Sequence, residues 1–358
     1  AQHHQRARTR TTEGAPTVMT EILDADRRHL DELTVDLLSR HSDVDHLRSR
    51  LDLGAVHSPE LWRRFAETGL LSALITERHG GAGLTPQHLP GVLHAMGYHA
   101  VAEPFLETGV LGVTALEACS DHPESAARLE AIAEGELLVG VRLSDLDPYV
   151  VFGEEADLVL DVDTGGKVTA YRPEELDVEG LRSVDPLRPV ARVTPRGGGE
   201  VLGTSPRTAK LVRTLAVAGA ACQLAGAARR LVDLTVEYVS VRHQFGRPVG
   251  SFQAVKHKIA DVAVGVDMAE AVAASAFGEL SQSDAAHRAA VAKAYAGQAA
   301  DLANVEALQL HGGTGFTWEY HLHFWLKRAM SLSAAYGTTT FHRRALAQGL
   351  LTHMRKEP

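Results

Sequence analysis

The C-terminal part of this 358-residue chain consists of long alanine-rich runs, and these runs restrict the fold more than any other feature. Alanine and leucine are strong helix formers, and each run is too long for a strand. Helices of about 30 residues that are apolar on more than one face pack together as a bundle core. We therefore predict a helical bundle over residues 207–358. Its predicted helices cover residues 208–241, 252–280, 283–311, 319–334 and 338–353.

The segment from residue 136 to residue 206 has a different pattern. It contains short stretches rich in β-branched residues, which Gly, Pro and Asp interrupt. Such stretches are typical of strands. The sequence therefore predicts a small β-domain at 136–206. The candidate strands are Leu137–Val141, Ala156–Leu160, Lys167–Tyr171 and Pro189–Val193.

Residues 19–135 carry apolar side chains at helical spacing and predict an N-terminal helical domain. The longest predicted helix of this domain covers Thr20–Arg50, and Ser58, which precedes a proline, is a typical helix start. We interpret residues 1–18 as a disordered leader, with Met19 as the native start. The predicted fold class is therefore mainly α with a small central β-domain.

Charge and cysteine content argue against several classes of protein. A net charge of −9 at pH 7 does not favour nucleic-acid binding, which depends on a positive field that releases counterions. No stretch reaches the roughly 18 uninterrupted apolar residues of a membrane span, so we predict no membrane insertion. Cys119 and Cys222 lack metal-ligand spacing and lie among apolar residues. We therefore expect a reduced, cytoplasmic protein.

The first candidate site is the turn at residues 241–249, Val-Arg-His-Gln-Phe-Gly-Arg-Pro-Val. A helix ends here, and we expect Ser251 to cap the next one. The turn presents Arg242, whose fork of donors matches phosphate oxygens in a bidentate manner. The simpler alternative is an ordinary helix-turn-helix with a solvated arginine.

The second candidate site is the sequence Gln-Leu-His-Gly-Gly-Thr-Gly at residues 309–315. It is another helix end that opens into glycines, where backbone N–H groups can approach an anion closely. A single turn of this kind is often only a helix terminator. Two such turns in one bundle are much harder to explain as coincidence.

Together these motifs, Arg-x-Gln-Phe-Gly-x-Pro and Gln-x-x-Gly-Gly-x-Gly, resemble the C-terminal domain of the acyl-CoA dehydrogenase family. The likeness covers residues 208–350 closely and residues 55–110 more loosely. It implies an N-terminal helical domain, a β-domain and a C-terminal four-helix bundle, with FAD bound across a dimer interface. By match to the family, the cofactor-binding residues are Arg242, Gln244, Phe245, Gln253, Gln309, Gly312, Gly313 and Thr338.

The family's catalytic carboxylate is missing from this sequence. The reaction removes the α-hydrogen of an acyl-CoA as a proton while the β-hydride passes to the flavin, so it needs a base. At one family position for the base stands Tyr336, a phenol that is a poor base at pH 7. At the other stands Ala216, and the CoA-binding arginine expected one residue later is Val217. We therefore predict no catalytic residue in this chain.

The β-domain is also short for the family. It lacks the Thr-Glu-Pro-x-x-Gly-Ser turn that flanks the flavin, and Arg142–Asp145 is the nearest remnant. These absences resemble the shorter, non-catalytic subunit of α2β2 heterotetrameric, steroid-type members. The resemblance implies a longer partner subunit that carries the catalytic Glu, a bulky acyl-CoA substrate such as a steroid side-chain thioester, and an electron-transfer flavoprotein as acceptor.

The sequence is also compatible with two other functions. One is a self-sufficient flavin oxidase or monooxygenase, although Asp233 and Glu237, the carboxylates on the relevant helix, are interpreted as solvent-facing. The other is a flavin-free scaffold of the same fold. A metal site is not predicted, because His321 and His323 alternate along a helix and point to different faces.

Overall fold

The computed structural model describes residues 15–54 and 56–354, and it has the predicted order of helices, small sheets and long-helix bundle. The predicted leader at 1–18 lies mostly outside these residues, and the first helix begins at Ala15. The helices are α1 (Ala15–His41), α2 (Val44–Leu53), α3 (Pro59–Glu67), α4 (Pro90–Tyr98), α5 (Val113–Glu117), α6 (Pro123–Ala133), α7 (Pro206–Val241), α8 (Gln253–Ser275), α9 (Ala285–His311), α10 (Leu322–Ala334) and α11 (Thr339–Met354).

The predicted helix over Thr20–Arg50 is in fact two helices, α1 and α2. The break follows from Asp43, whose carboxylate accepts a hydrogen bond from the backbone N–H of His46 at 2.8 Å and so caps α2. The predicted start at Ser58 is confirmed, because its hydroxyl accepts a hydrogen bond from the N–H of Leu61 at 3.3 Å.

The β-domain contains seven strands in two small sheets. One sheet has the order β1-β3-β4-β7, with β1 and β3 parallel, and the other has the order β2-β6-β5. The four predicted strands correspond to β1, β3, β4 and β6, while β2, β5 and β7 were not predicted from the sequence. Strand β5 exposes its four central residues, so it lacks the apolar alternation that marks a strand. The strands are β1 (Val139–Arg142), β2 (Val150–Val151), β3 (Leu158–Val162), β4 (Lys167–Tyr171), β5 (Leu176–Leu181), β6 (Val190–Pro195) and β7 (Glu200–Thr204).

Helix α7 is the central helix of the C-terminal bundle and packs against α4, α8, α9 and α10. Within the described residues, it is the one helix long and apolar enough to cross a membrane. However, 83% of its most apolar window is buried inside the protein, so its apolar surface is already used in helix packing.

Helices α4 and α7 approach each other so closely that glycine is needed at the crossing. A Cβ atom added to Gly97 would lie 1.8 Å from the carbonyl oxygen of Gln223, and one added to Gly226 would lie 2.0 Å from that of His94. Both contacts are with backbone atoms, which cannot move aside as a side chain does. The N-terminal domain is therefore held directly against the bundle.

Candidate cofactor clamp and base position

The first predicted turn is a tight hairpin at the C-terminal end of α7. Two-residue strands, β8 (His243–Gln244) and β9 (Arg247–Pro248), pair on either side of Phe245 and Gly246. Both turn residues have positive φ, 54° for Phe245 and 79° for Gly246. A positive φ is strained for phenylalanine, and such strain is concentrated at functional sites.

The side chains of this turn point into solvent. Phe245 is 92% exposed, and its ring lies edge-on to that of Phe252 at 6.1 Å. The Arg247 guanidinium lies 4.0 Å from the centre of the Phe252 ring. Arg242 is exposed and makes no side-chain hydrogen bond or ion pair to any described residue. Its donors are therefore available to a ligand.

The prediction that Ser251 caps the following helix is wrong. Ser251 belongs to a 3₁₀ turn at Val249–Ser251, its hydroxyl is buried without a partner, and α8 begins at Gln253. Gln253 thus occupies the first position of α8, next to the hairpin, and its amide contacts His257 Nε2 at 3.5 Å.

The second predicted turn follows the last residue of α9, His311. Gly312 has φ 59° and ψ −138°, a conformation that glycine adopts readily and that residues with a Cβ atom rarely adopt. A Cβ atom added to Gly313 would meet no atom within 4 Å, and Gly313 has no positive φ. The chain's own packing therefore does not require glycine at 313, whereas a ligand that touches the backbone there would.

The structure brings the two turns together at one end of the bundle. The Tyr238 hydroxyl, near the end of α7, donates a hydrogen bond to Thr314 Oγ1 at 3.3 Å. The Tyr238 ring also stacks on His311 at 4.4 Å. Seven of the eight predicted cofactor-binding residues lie at this end, which we call the clamp. They are Arg242, Gln244, Phe245, Gln253, Gln309, Gly312 and Gly313.

Thr338, the eighth predicted residue, does not lie at the clamp. Lys293, near the start of α9, donates a hydrogen bond to the carbonyl of Gly337 at 3.0 Å, beside Thr338. Lys293 and Gln309 are 16 positions apart on α9, which corresponds to about 24 Å along the helix. The Thr338 hydroxyl accepts a hydrogen bond from Phe341 N–H at 3.2 Å at the start of α11. The predicted residues therefore form two separate sites.

The base position, Tyr336, is turned into the protein core. Tyr336 is 2% exposed, has φ 51°, and donates a hydrogen bond from its hydroxyl to Glu107 Oε1 at 2.9 Å. Its backbone N–H donates to Asp147 Oδ2 at 3.0 Å. Burial and the Glu107 carboxylate raise the pKa of the Tyr336 phenol well above its ordinary value. This hydroxyl is therefore a proton donor and not a base.

Several buried charged residues around Tyr336 were missed from the sequence. Arg188 Nη2 lies 3.3 Å from Glu107 Oε1, so the carboxylate has two partners. Lys293 is fully buried, and burial lowers its pKa to about 7. It donates to the carbonyls of Ser333 at 3.1 Å and Gly337 at 3.0 Å, on both sides of Tyr336. The sequence did contain a signal for them: each is a charged residue within an apolar stretch, and a charge in such a stretch is often buried and paired.

The second base position also carries no base. Ala216 and Val217 are buried in α7. The prediction that both carboxylates on this helix face solvent is only partly right. Asp233 is half-buried and accepts a hydrogen bond from the Tyr98 hydroxyl at 2.9 Å, whereas Glu237 is exposed and lies 3.5 Å from Arg230.

A cleft of about 420 Å³ separates the β-domain from the last two helices. Tyr336 does not line it, although its neighbours in the chain do. The Arg142–Asp145 remnant is held by ion pairs outside the cleft, Arg142 with Asp161 at 2.8 Å and Asp145 with Arg213. The lining residues are Leu146, Asp147, Pro148, Tyr149, Val151, Ser183, Val184, Arg188, Val190, Met330, Ser331, Ala334, Ala335, Gly337, Thr338 and Phe341.

The histidines and cysteines take part in packing. His323 stacks on Trp318 at 4.4 Å, and His321 contacts Tyr320 in the same way at 4.6 Å. Across residues 15–54 and 56–354, no group of three or more His, Cys, Asp or Glu is arranged to hold a metal ion. Cys119 and Cys222 are buried free thiols, and burial raises the pKa of Cys222 to about 12.

Comparison with known proteins agrees with this architecture. The family described as "Acyl-CoA dehydrogenase, C-terminal domain" matches residues 215–351. Acyl-CoA dehydrogenase IpdE2 of Mycobacterium tuberculosis is 35% identical over 305 residues, which cover 85% of this chain and 91% of that protein.

Two solved structures share the fold. A chain of the ChsE4-ChsE5 complex from Mycobacterium tuberculosis has a TM-score of 0.79 and 23% identity, covering 93% of this chain and 98% of that one. A chain of the Tcur3481-Tcur3483 steroid ACAD G363A variant has a TM-score of 0.80 and 22% identity, covering 93% of this chain and all of the other. Because both the sequence likeness and the fold extend over most of its length, the chain belongs to the acyl-CoA dehydrogenase family.

Proposed function

We propose that this chain is the non-catalytic subunit of a hetero-oligomeric, FAD-dependent acyl-CoA dehydrogenase. It binds the ADP half of FAD at the clamp, while a longer partner subunit binds the flavin ring and supplies the catalytic Glu. The observation that carries this proposal is the orientation of Tyr336. The residue at the base position faces Glu107 in the core and not the cleft.

Neither Tyr336 nor Glu107 can act as the α-proton base in this arrangement. The base must reach the substrate within hydrogen-bond distance, directly or through one water. Glu107 is buried, and its Oε1 already accepts hydrogen bonds from Tyr336 and Arg188. The Tyr336 hydroxyl holds its proton because its pKa is raised. Dehydrogenation would thus depend on a carboxylate from another subunit.

The clamp has the chemistry that a dinucleotide tail needs. When bound, FAD would supply the hydride acceptor of the reaction. Arg242 offers unpaired guanidinium donors to a pyrophosphate, and Gln253 and Gln309 offer amides to a ribose or adenine. Gly312 and Gly313 leave their backbone open to close approach. All these groups are exposed, as a site shared between subunits requires.

The partner and the substrate are proposed from the two solved structures that share the fold. The two solved structures are named for pairs of gene products, and one is described as a steroid acyl-CoA dehydrogenase. We propose a longer acyl-CoA dehydrogenase subunit as the partner and a bulky, steroid-type acyl-CoA as the substrate. An electron-transferring flavoprotein would reoxidise the flavin.

The proposal is tested by purifying the chain alone and after co-expression with the longer acyl-CoA dehydrogenase subunit of its genomic neighbourhood. We expect the isolated chain to be colourless and inactive, and the complex to show flavin absorbance and dehydrogenate an acyl-CoA. Yellow, active protein from the chain alone would instead indicate a self-sufficient flavin enzyme. Colourless protein from every combination would indicate a flavin-free scaffold.

A further inference from the structure

We propose that α2 (Val44–Leu53) is a proton-sensitive flap, which detaches from the N-terminal domain when the histidines beside its two arginines become charged. This role goes beyond the proposed function, because it involves neither FAD nor an acyl-CoA. The helix has a joint at each end. Asp43 caps it after the break that follows α1, and Gly54 ends it with φ 62°, in the left-handed region that favours glycine.

Helix α2 is attached to the rest of the protein by few apolar contacts. Among its described side chains only Leu47 is buried, while Val44 and Leu51 are partly buried. A cavity of about 220 Å³ lies beside the helix and is lined by Leu51 together with Trp318. A segment with so little buried apolar surface opens locally at a low cost in free energy.

The two arginines of α2 make polar contacts to neighbouring segments. Nη2 of Arg48 donates a hydrogen bond to the carbonyl of Glu319, in the loop that precedes α10. Nη1 of Arg50 donates to the carbonyl of His57 at 3.4 Å, in the connection to α3. Because a guanidinium stays charged at any ordinary pH, both are fixed positive charges at the contact surface of the helix.

Three histidines near these arginines have a ring nitrogen that is enclosed in the protein and has no hydrogen-bond partner among the described residues. The atoms are Nε2 of His46 and of His57, near Arg50, and Nδ1 of His323, near Arg48. A charged imidazole has an N–H on both nitrogens, so it would bury an unpaired donor beside a cation. Burial lowers the pKa of each imidazole, to about 4 for His323, and the nearby arginine acts in the same direction.

Further charged groups face the three histidines. The carboxylates among them raise the pKa and the cations lower it, but burial is the largest cause at each imidazole, so each pKa is lowered. The facing groups are Asp43, Glu60 and His41 at His46, Asp157 at His57, and Lys327 and His321 at His323, while Asp52 and Glu319 line the cavity beside His323.

Glu103 has the opposite dependence on pH. It is buried, and burial raises its pKa to about 7, so acid favours its buried form. Its Oε1 accepts a hydrogen bond from the backbone N–H of Ser58 at 3.1 Å, and Ser58 caps α3. Because α3 does not belong to the flap, Glu103 stays buried when α2 detaches and does not offset the three histidines.

The direction of the pH dependence follows from the lowered pKa values. Below about pH 6.5 the detached form binds protons that the attached form excludes, so detachment becomes more favourable as pH falls. For His323 alone, the pKa is about 4 in the attached form and 6.5 when the ring is exposed. This difference makes detachment roughly twentyfold more favourable at pH 5 than at pH 7. His46 and His57 act in the same direction.

The test is amide hydrogen exchange of the full chain, followed by mass spectrometry at pH 7 and pH 5 and corrected for the intrinsic exchange rate. We expect the opening of α2 to increase at least about tenfold from pH 7 to pH 5. Helix α8 is the internal reference, because its histidine, His257, is exposed. An unchanged α2 would overturn the proposal. An equal increase in α8 would also overturn it, because it would indicate global unfolding.

Variants identify the histidines responsible. His323→Phe keeps an aromatic ring against Trp318, where the two rings now stack at 4.4 Å, but it cannot take up a proton. We expect it to reduce the increase at least about threefold. His287→Phe, at an exposed position on α9, is the matched control and should keep the full increase.

A double variant covers the case in which His323→Phe does not fold. His46→Gln combined with His57→Gln removes the two protonation sites near Arg50 and should also reduce the increase at least about threefold. A full tenfold increase in the double variant and in His323→Phe would refute the assignment to these histidines. The measurement uses neither flavin nor acyl-CoA, so its outcome is independent of the clamp.

Discussion

Arg328 on α10 and Asp185 in the β-domain form a buried ion pair, and the same guanidinium joins the N-terminal domain to both. Nε of Arg328 donates to Asp185 Oδ2, Nη1 donates to the carbonyl of Val101, and Nη2 donates to that of Leu187. Arg328 and Asp185 are 4% and 2% exposed. One side chain therefore connects all three structural units.

We expect Arg328→Gln to destabilise the protein by about 3–5 kcal/mol, because it leaves the Asp185 carboxylate buried without its counter-charge. Urea unfolding of the full chain, followed by circular dichroism, measures this change. Arg344→Gln at an exposed position on α11 is the control and should alter the free energy of unfolding by less than about 0.5 kcal/mol. Equal effects of the two substitutions would show that the ion pair does not connect the domains.

Arg242→Ala should weaken FAD retention in the complex. Loss of a hydrogen bond to a charged group costs about 1.5–3 kcal/mol, equivalent to roughly ten- to hundredfold weaker binding. Flavin absorbance after gel filtration, together with FAD titration, gives the change. Arg192→Ala on the β-domain surface is the control, because Arg192 is exposed and paired with Glu179. If Arg242→Ala retained FAD as well as Arg192→Ala, the clamp assignment would be wrong.

Tyr336→Phe separates a structural role from a catalytic one. Removal of the hydroxyl takes one donor from the buried Glu107, and we expect a loss of about 1–3 kcal/mol in stability. The dehydrogenation rate of the intact complex at a temperature where both forms are folded should not change. A loss of activity of a hundredfold or more, with retained structure, would make Tyr336 a catalytic residue and contradict the proposed function.

The helices were predictable because their signals are local, and so was the position of the two turns that carry the predicted clamp residues. Alanine-rich periodicity placed α7 and α9 within two residues of their observed ends, and the clamp residues lie within two short motifs. Capping was less reliable, since both Ser58 and Ser251 precede helices but only Ser58 caps one.

The environment of the base position could not be predicted, because it depends on tertiary packing. Tyr336 and Glu107 are separated by 229 residues in sequence yet share a hydrogen bond. Nothing in the neighbouring sequence of Glu107 specifies that contact. That Tyr336 and Ala216 stand at the two family positions of the base was visible from the sequence, but the inward orientation of Tyr336 and its network with Arg188 and Lys293 required the structure.

Lys293 should make stability depend on pH. Burial lowers its folded pKa to about 7, so between that value and its ordinary pKa near 10 the unfolded chain binds the proton and the folded chain does not. The contribution of Lys293 to the free energy of unfolding therefore rises with pH in that window, by about 1 kcal/mol per pH unit, and is constant below it.

Lys293→Met removes this dependence, although it leaves the carbonyls of Ser333 and Gly337 without their donor. Urea unfolding at several pH values between about 7 and 9 compares the variant with the wild type. We expect the free energy of unfolding of the wild type to exceed that of the variant by a margin that grows as pH rises. A constant difference across this range would mean that Lys293 is charged in the folded protein.

Two helical glycines, Gly226 at the crossing of α4 and α7 and Gly265 on α8, should respond to alanine substitution in opposite ways. Gly226→Ala places a Cβ about 2.0 Å from the His94 carbonyl, so the helices must separate, and we expect a loss of at least about 1–3 kcal/mol. Gly265→Ala on α8 meets no atom within 4 Å and should stabilise the protein by up to about 1 kcal/mol through helix propensity. Denaturant unfolding of both variants measures the difference. Because the substitution is the same and both sites are helical, changes in stability of opposite sign can arise only from the lack of space at the crossing. A gain in stability for both variants would show that α4 and α7 are not in backbone contact at Gly226.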